Sequence, residues 1–299
     1  KAFKILDFAF DQGINMFDTA EIYPSYPKKT TYGLSEKIIG EWQKKRKIRN
    51  KIIIASKIIG NNSQNIGNLF YWIRGGGKSL IYDKYNLKLA IDNSLKRLKT
   101  DYIDIYQLHY PLPNDNVNEE SKNYYQEVLE NLNFFVKQGK IRHIGVCNES
   151  HEGFKSYLEK SKNKKLPNIS VIQNPYSLLN REIENSISRL LIKEKCSLIA
   201  HSPIAGGRLS GKYLNLKRPN KARYTIWPGN HKKYLDKRVD NAVLRYQKIA
   251  NKYNVSLTNL AISFVTSQTF VSSTIIGATS IEQIKENLLS LNLKMKKEI

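Results

Sequence analysis

Short runs rich in β-branched residues alternate with amphipathic helical segments along nearly the whole chain, and this alternation restricts the fold more than any other feature. Phe3, Leu6 and Phe10 follow a helical spacing that stops at Gly13, and the apolar run Ile14–Phe17 begins at once. A helix over 35–47 leads to KIIIASK, and NLKLAIDNSLKRL leads to YIDIYQLH. Helices over 124–137, 151–160 and 182–193 lead in turn to RHIGVCN, ISVIQN and SLIAHSP. Two late helices, over 237–253 and 257–267, precede STIIGA and a closing helix over 280–291. Buried runs separated by amphipathic helices predict a parallel sheet with helical cover. No G-x-G-x-x-G turn follows any of the seven strands, so the expected fold class is α/β, a (β/α)8 TIM barrel rather than an open dinucleotide-binding sheet. Its first strand would precede Lys1, which makes residues 1–299 a single, N-terminally incomplete barrel domain. Three long connections, over 58–86 with the GGG run at 75–77, 111–122 and 203–236, read as lids or binding loops.

With 25% charged residues and a net charge of +23, the chain is basic enough to raise the question of a polyanion partner. The lysines are dispersed among Asn, Ile and Tyr without a nucleic-acid motif or one dominant basic run, a pattern that fits solvated helix faces and no nucleic-acid partner. Cys147 and Cys196 match neither a disulfide framework nor a metal spacing, which favours a reducing compartment and predicts no metal site. No apolar run reaches the length of a membrane span. The chain opens at Lys1 within a helical pattern, so a cytoplasmic protein is expected, with any targeting peptide among residues upstream. Oligomeric state is not legible.

In a barrel every strand end faces one mouth, so the polar residues at those ends converge. They are Asp18 after the first run, Tyr23 five positions on, Lys57 closing IIIASK and His109 closing YQLH. Taken singly, Asp18 reads as a helix cap, Lys57 as a surface lysine, His109 as a turn histidine and Tyr23 as a packing aromatic. Together they make a different set. A phenol titrates near about 10 in water, so Tyr23 needs a neighbouring cation to become a better acid. Lys57 supplies that cation, and Asp18 keeps the ammonium from standing unpaired in a low-dielectric pocket. With His109 orienting an oxygen, the set suits proton donation to a carbonyl.

FDTAEIY, ASK, LHYP, GKIRHIGVCNE, QNPYSLLNR, SPIAGGRLSGKY and IIGATSIEQIKENL resemble the aldo-keto reductase superfamily, in particular its Tas-like branch, over essentially Ala2 to Leu293. The resemblance implies a (β/α)8 barrel and NADPH-dependent reduction of small-molecule aldehydes or ketones, with Asp18, Tyr23, Lys57 and His109 as the catalytic tetrad and Tyr23 as proton donor. It also implies that Asn148 and Gln173 hold the nicotinamide carboxamide, since amide side chains both donate and accept. Cys147 stands where many members have Ser, and His201 where Tyr or Trp commonly stacks on the nicotinamide. Ser202, Pro203, Ile204 and Lys212 match the segment crossing the pyrophosphate, and Thr279, Gln283, Glu286 and Asn287 match the adenosine end, at a helix start with free N–H groups. Gly277 and Ala278 occupy the stretch where many members carry the cation for the 2′-phosphate. Arg223 in NKARYTIW matches an arginine of the Tas-like pattern and becomes the expected clamp. A rival implication is a cofactor-binding regulatory subunit like the potassium-channel β subunits, with little turnover.

Overall fold

The computed structural model of the chain describes residues 1–60, 72–75, 80–111, 119–227, 234, 236–293 and 295. It divides into two compact units, residues 1–173 with 193–196, and residues 174–192 with 197–299. Helix α1 (Ala2–Asp11) ends in a Schellman turn, in which the Gly13 N–H donates to Phe10 O at 2.9 Å and the Ile14 N–H to Ala9 O at 3.0 Å. Gly13 takes the required left-handed φ of +86°, which a side chain would strain. The chain therefore turns straight into β1 (Met16–Asp18).

There follow α2 (Leu34–Arg46), β2 (Ile53–Ile58), α3 (Lys84–Leu98), β3 (Ile103–Leu108), α4 (Glu119–Lys137), β4 (Ile141–Cys147), α5 (His151–Lys164) and β5 (Ile169–Pro175). Asp83 and Ser150 accept from the Asn86 and Gly153 N–H groups and so fix where α3 and α5 start. β1 to β5 pair in chain order and in parallel. Ile54, Ala55, Tyr106, Ile144, Val146 and Ile172 are buried, as strands covered on both faces require.

The remaining elements are α6 (Glu182–Asn185), α7 (Ile187–Glu194), β6 (Ser197–His201), α8 (Arg223–Ile226), α9 (Lys237–Lys252), α10 (Leu257–Thr266), β7 (Val271–Thr274) and α11 (Ile281–Leu288). β6 and β7 are parallel partners. Within each unit, parallel strands that follow one another in chain order with helices between them make the βα repeat of the barrel class expected from the sequence.

Three local expectations change. The helix expected over 182–193 breaks at Ser186, whose φ of −131° and ψ of −64° leave the helical region. The last strand starts earlier than STIIGA suggests, because pairing with β6 begins at Leu198 opposite Val271. The long connections are not bare loops: they contain 3-10 turns at Ile73–Gly75, Ala205–Ser210 and Leu214–Leu216, and helix α8. Gly76 and Gly77 of the GGG run, with 61–71, 78–79, 112–118 and 228–233, lie outside the described residues. Among the described residues, no helix is long and apolar enough to cross a membrane.

The first two helices are clasped by Asp7, which accepts from Trp42 Nε1 at 2.8 Å and Arg46 Nε at 2.7 Å. The Arg46 hydrogen bond holds the Asp7 carboxyl down at about 2, so the clasp is complete above the ordinary carboxylate range and is lost as pH falls through about 2. Because the pair is partly exposed, Asp7→Asn should cost only about 1 kcal/mol or less, and the difference should shrink in acid. Urea unfolding at neutral pH and near pH 2.5 checks both points.

Candidate active site

Residues two apart on a strand share a face, and parallel registers carry that face from strand to strand. Asp18 pairs with Ala55, Lys57 with Gln107, Gln107 with Gly145, and Cys147 with Gln173. Asp18, Lys57, Cys147 and Gln173 therefore stand on one face, with His109 just beyond β3 in step with Gln107. All lie in the first unit.

Lys57 is completely buried and uses its ammonium fully: Nζ lies 2.8 Å from Asp18 Oδ1, 2.6 Å from Asp18 Oδ2 and 2.9 Å from Thr19 O. Burial opposes the ammonium, but Asp18 outweighs it and holds the Lys57 pKa above its ordinary value. Asp18 also accepts from Gln173 Nε2 at 2.8 Å, which fixes the carboxylate from a second strand.

Tyr23 lies in the segment between β1 and α2, its ring centroid 5.2 Å from Lys57 Nζ. Its ring meets that of His109 edge-on, at 5.7 Å and 80°. Burial pushes the phenol up to about 12, and Lys57 offsets only part of that rise. The sequence leads one to expect a phenol acidified by Lys57. The net direction is the reverse, because removing the phenolate from water outweighs one nearby cation that Asp18 already neutralises.

His109 is buried, stacked on Tyr110 at 4.8 Å and 9°, and its carbonyl accepts from Asn148 Nδ2 at 3.0 Å. Asn148 has a φ of +56°, a left-handed conformation that Asn tolerates better than most residues, and its own N–H donates to Gln173 O at 2.9 Å. Cys147 Sγ lies 3.3 Å from Asn148 Nδ2 and 3.7 Å from Gln173 Oε1, and burial pushes its thiol up to about 12. Asp18, Lys57, Cys147, Asn148, Gln173 and the His109 carbonyl thus form one hydrogen-bonded cluster, which the Tyr23 ring meets through Lys57 and the His109 ring.

The other expected cofactor residues belong to the second unit. His201 ends β6 with Nδ1 3.1 Å from Ser202 Oγ, Pro203 is buried, and Ile204 is half-buried. Gly207 has a φ of +100°, and a Cβ there would lie 2.8 Å from Lys212 Cε, so glycine lets the Lys212 stem cross the turn. Lys212 and Arg223 are both exposed, and burial of its stem together with the Arg223 charge lowers the Lys212 pKa. Among the described residues no carboxylate forms an ion pair with either cation. Two mutually repelling cations without a counter-charge suit a bound phosphate.

Thr279 and Gln283 lie at the start of α11, and Glu286 and Asn287 in its last turn. Gln283 Oε1 accepts from the Thr279 N–H at 2.7 Å, Ser280 caps the helix, and Glu286 accepts from Ser256 Oγ at 2.5 Å. Asn287 is buried.

Two charged residues next to Tyr23 and Lys57 escaped the sequence reading, Glu21 and Arg74, which form a fully buried ion pair. The available signal was Glu21 itself, a charge inside the apolar stretch TAEIY.

A sequence profile described as the aldo/keto reductase family matches residues 1–299. The chain is 37% identical over 303 residues to Protein tas of Escherichia coli (strain K12), covering 98% of this chain and 85% of that protein. It is 29% identical over 304 residues to a probable aryl-alcohol dehydrogenase (AAD4) of Saccharomyces cerevisiae, covering 100% of this chain and 85% of that protein. It is 28% identical over 292 residues to an NADH-specific methylglyoxal reductase of Escherichia coli, covering 95% and 80%.

Proposed function

The chain belongs to the aldo/keto reductase family, and from that premise we propose that residues 1–299 form a reductase domain that converts aldehydes or ketones to alcohols, with NADPH as hydride donor and Tyr23 as proton donor. The oxidoreductase names of its relatives support carbonyl reduction in general terms. The observation that carries the reading is the buried Asp18–Lys57 pair beneath the Tyr23 ring, with His109 against the ring edge.

NADPH, when bound, supplies the hydride that adds to the carbonyl carbon. The chain's own groups handle the oxygen. His109 orients it, and the Tyr23 O–H donates to it. As the C=O bond becomes C–O, negative charge gathers on the oxygen, and the phenol proton moves to it. An alkoxide is more basic than a phenolate, so the transfer runs downhill even from a phenol near 12. Lys57 stabilises the phenolate left behind, and Asp18 keeps Lys57 charged and in place. Asn148 and Gln173 would hold the carboxamide. Within the second unit, His201, Ser202, Pro203, Ile204, Thr279, Gln283, Glu286 and Asn287 are the residues that the family resemblance assigns to the rest of the cofactor, and Lys212 with Arg223 those it assigns to the phosphates.

NADPH oxidation with a panel of aldehydes, including methylglyoxal and aromatic aldehydes, tests the reading. Tight NADPH binding without turnover on any member would favour a regulatory subunit instead. Arg223→Ala tests the cofactor choice. A charge-assisted contact contributes about 1.5–3 kcal/mol, so NADPH affinity should fall by about one to two decades while NADH affinity holds. Equal losses in fluorescence titrations with the two cofactors would make Arg223 structural.

A further inference from the structure

We infer that Arg74 is a positioning residue for Tyr23, acting through Glu21, an inference that rests on the reductase reading above. The segment carrying Tyr23 between β1 and α2 has no helix or strand of its own, so side-chain anchors must fix its path. Glu21, two residues before Tyr23, is the strongest of these. Its N–H donates to Lys57 O at 3.1 Å, and its carboxylate accepts from the Ile59 N–H at 2.7 Å, from the Tyr32 hydroxyl at 3.2 Å and from Arg74. Arg74, whose side chain is as buried as that of Glu21, also donates to Ile59 O at 3.0 Å and to Asn86 Oδ1 at 3.3 Å. The pair is thus wrapped around the backbone just past Lys57. It ties the chain leaving β1, which carries the proton donor, to the chain leaving β2, which carries the cation.

The surroundings reinforce the brace. Ile73 is buried with Ala20, Ile22, Ile59 and Leu80, and Trp72 meets Tyr32 edge-on at 5.6 Å. Arg74 itself holds a left-handed φ of +52°, which a residue with a side chain adopts at some cost. Beyond Tyr32 lies a second pair with a buried carboxylate: the half-buried Arg97 sits 5.1 Å from the Tyr32 ring centroid and donates to Glu36 at 2.6 Å, and Glu36 accepts from Ser56 Oγ at 2.5 Å. Ser56 and Ile59, on either side of Lys57, are both anchored. Apolar residues of equal volume would stabilise such a site at least as well as buried charges, whereas a planar guanidinium whose three nitrogens form a fork onto a carboxylate, a carbonyl and an amide oxygen adds fixed direction. Direction is what a proton donor between two loops requires.

The test uses the full chain and three variants, Arg74→Met, Arg74→Lys and the double Arg74→Met with Glu21→Gln. Hydrogen exchange over residues 18–26 reads the brace without any turnover. In Arg74→Met the Glu21 and Tyr23 amides should exchange about tenfold faster or more. A donor displaced by about an ångström loses up to about a hundredfold in rate, so kcat for aldehyde reduction should fall about ten- to a hundredfold while KM and NADPH affinity change little. Arg74→Lys keeps the charge without the fork and should fall between. The double variant leaves no unpaired buried charge and should regain melting temperature, yet kcat should stay low. Wild-type exchange over 18–26 in Arg74→Met, or a double variant that regains wild-type kcat together with stability, would overturn the inference. A wild-type chain that turns over no aldehyde would sink the reductase reading alone, and the exchange data would still decide the brace.

Discussion

Tyr23→Phe should lower kcat for aldehyde reduction by about 10²- to 10⁴-fold, the usual contribution of a general acid, while NADPH binds with unchanged affinity. The substitution removes one oxygen and leaves the ring, which supplies the edge contact with His109 at 5.7 Å and the face 5.2 Å from Lys57 Nζ. The packing around Ile22 and Tyr110 is therefore preserved, and the lost rate can be assigned to the proton. Because the phenol sits near 12, it remains protonated throughout the neutral range, so the wild-type rate should be nearly flat in pH up to strongly alkaline conditions. Single-turnover kinetics with cofactor titrations measure both quantities. Near wild-type turnover in the Phe variant would show that the proton comes from elsewhere.

Lys57→Met should be as damaging for a different reason. The ammonium makes three contacts and is completely buried, so its loss leaves the Asp18 carboxylate held by Gln173 without its cation. Breaking a buried pair from one side costs about 3–5 kcal/mol, which thermal unfolding would register. Catalysis suffers separately. The Tyr23 phenolate formed on proton transfer loses the only cation beside it among the described residues, and the phenol, already raised to about 12 by burial, rises further. A weaker donor transfers its proton more slowly, so kcat should fall by about 10² or more. The sign in pH is fixed: raising the donor's pKa moves the alkaline loss of activity to higher pH, never lower. Adding Asp18→Asn removes the uncompensated charge, so the double variant should recover stability without recovering rate. Recovery of both would reduce the Asp18–Lys57 pair to a structural role.

Asp18, Lys57 and His109 stand out in the sequence because each is a polar residue closing an apolar strand, and strand length alone then fixes the face it occupies. The parallel register needed nothing further. Two kinds of information were missing. The net pKa direction at Tyr23 depends on how much water the folded segment excludes, which no local pattern records. The Glu21–Arg74 and Glu36–Arg97 pairs join residues 53 and 61 positions apart, and charged side chains in connections or on helices ordinarily read as solvated. The break of the 182–193 helix at Ser186 was invisible for a related reason, since helical periodicity runs on across it.

Cys147 has a bearing on the protein's endurance as a catalyst. Aldehydes are electrophiles that add to thiolates, unsaturated aldehydes alkylating them outright, and Cys147 is hydrogen-bonded to Asn148 and Gln173 within the candidate site. The thiolate rather than the thiol reacts, and burial keeps Cys147 protonated up to about 12 and Cys196 up to about 11. Near neutral pH both sulfurs are therefore held as the slow-reacting thiol, so carbonyl substrates would find little thiolate to consume.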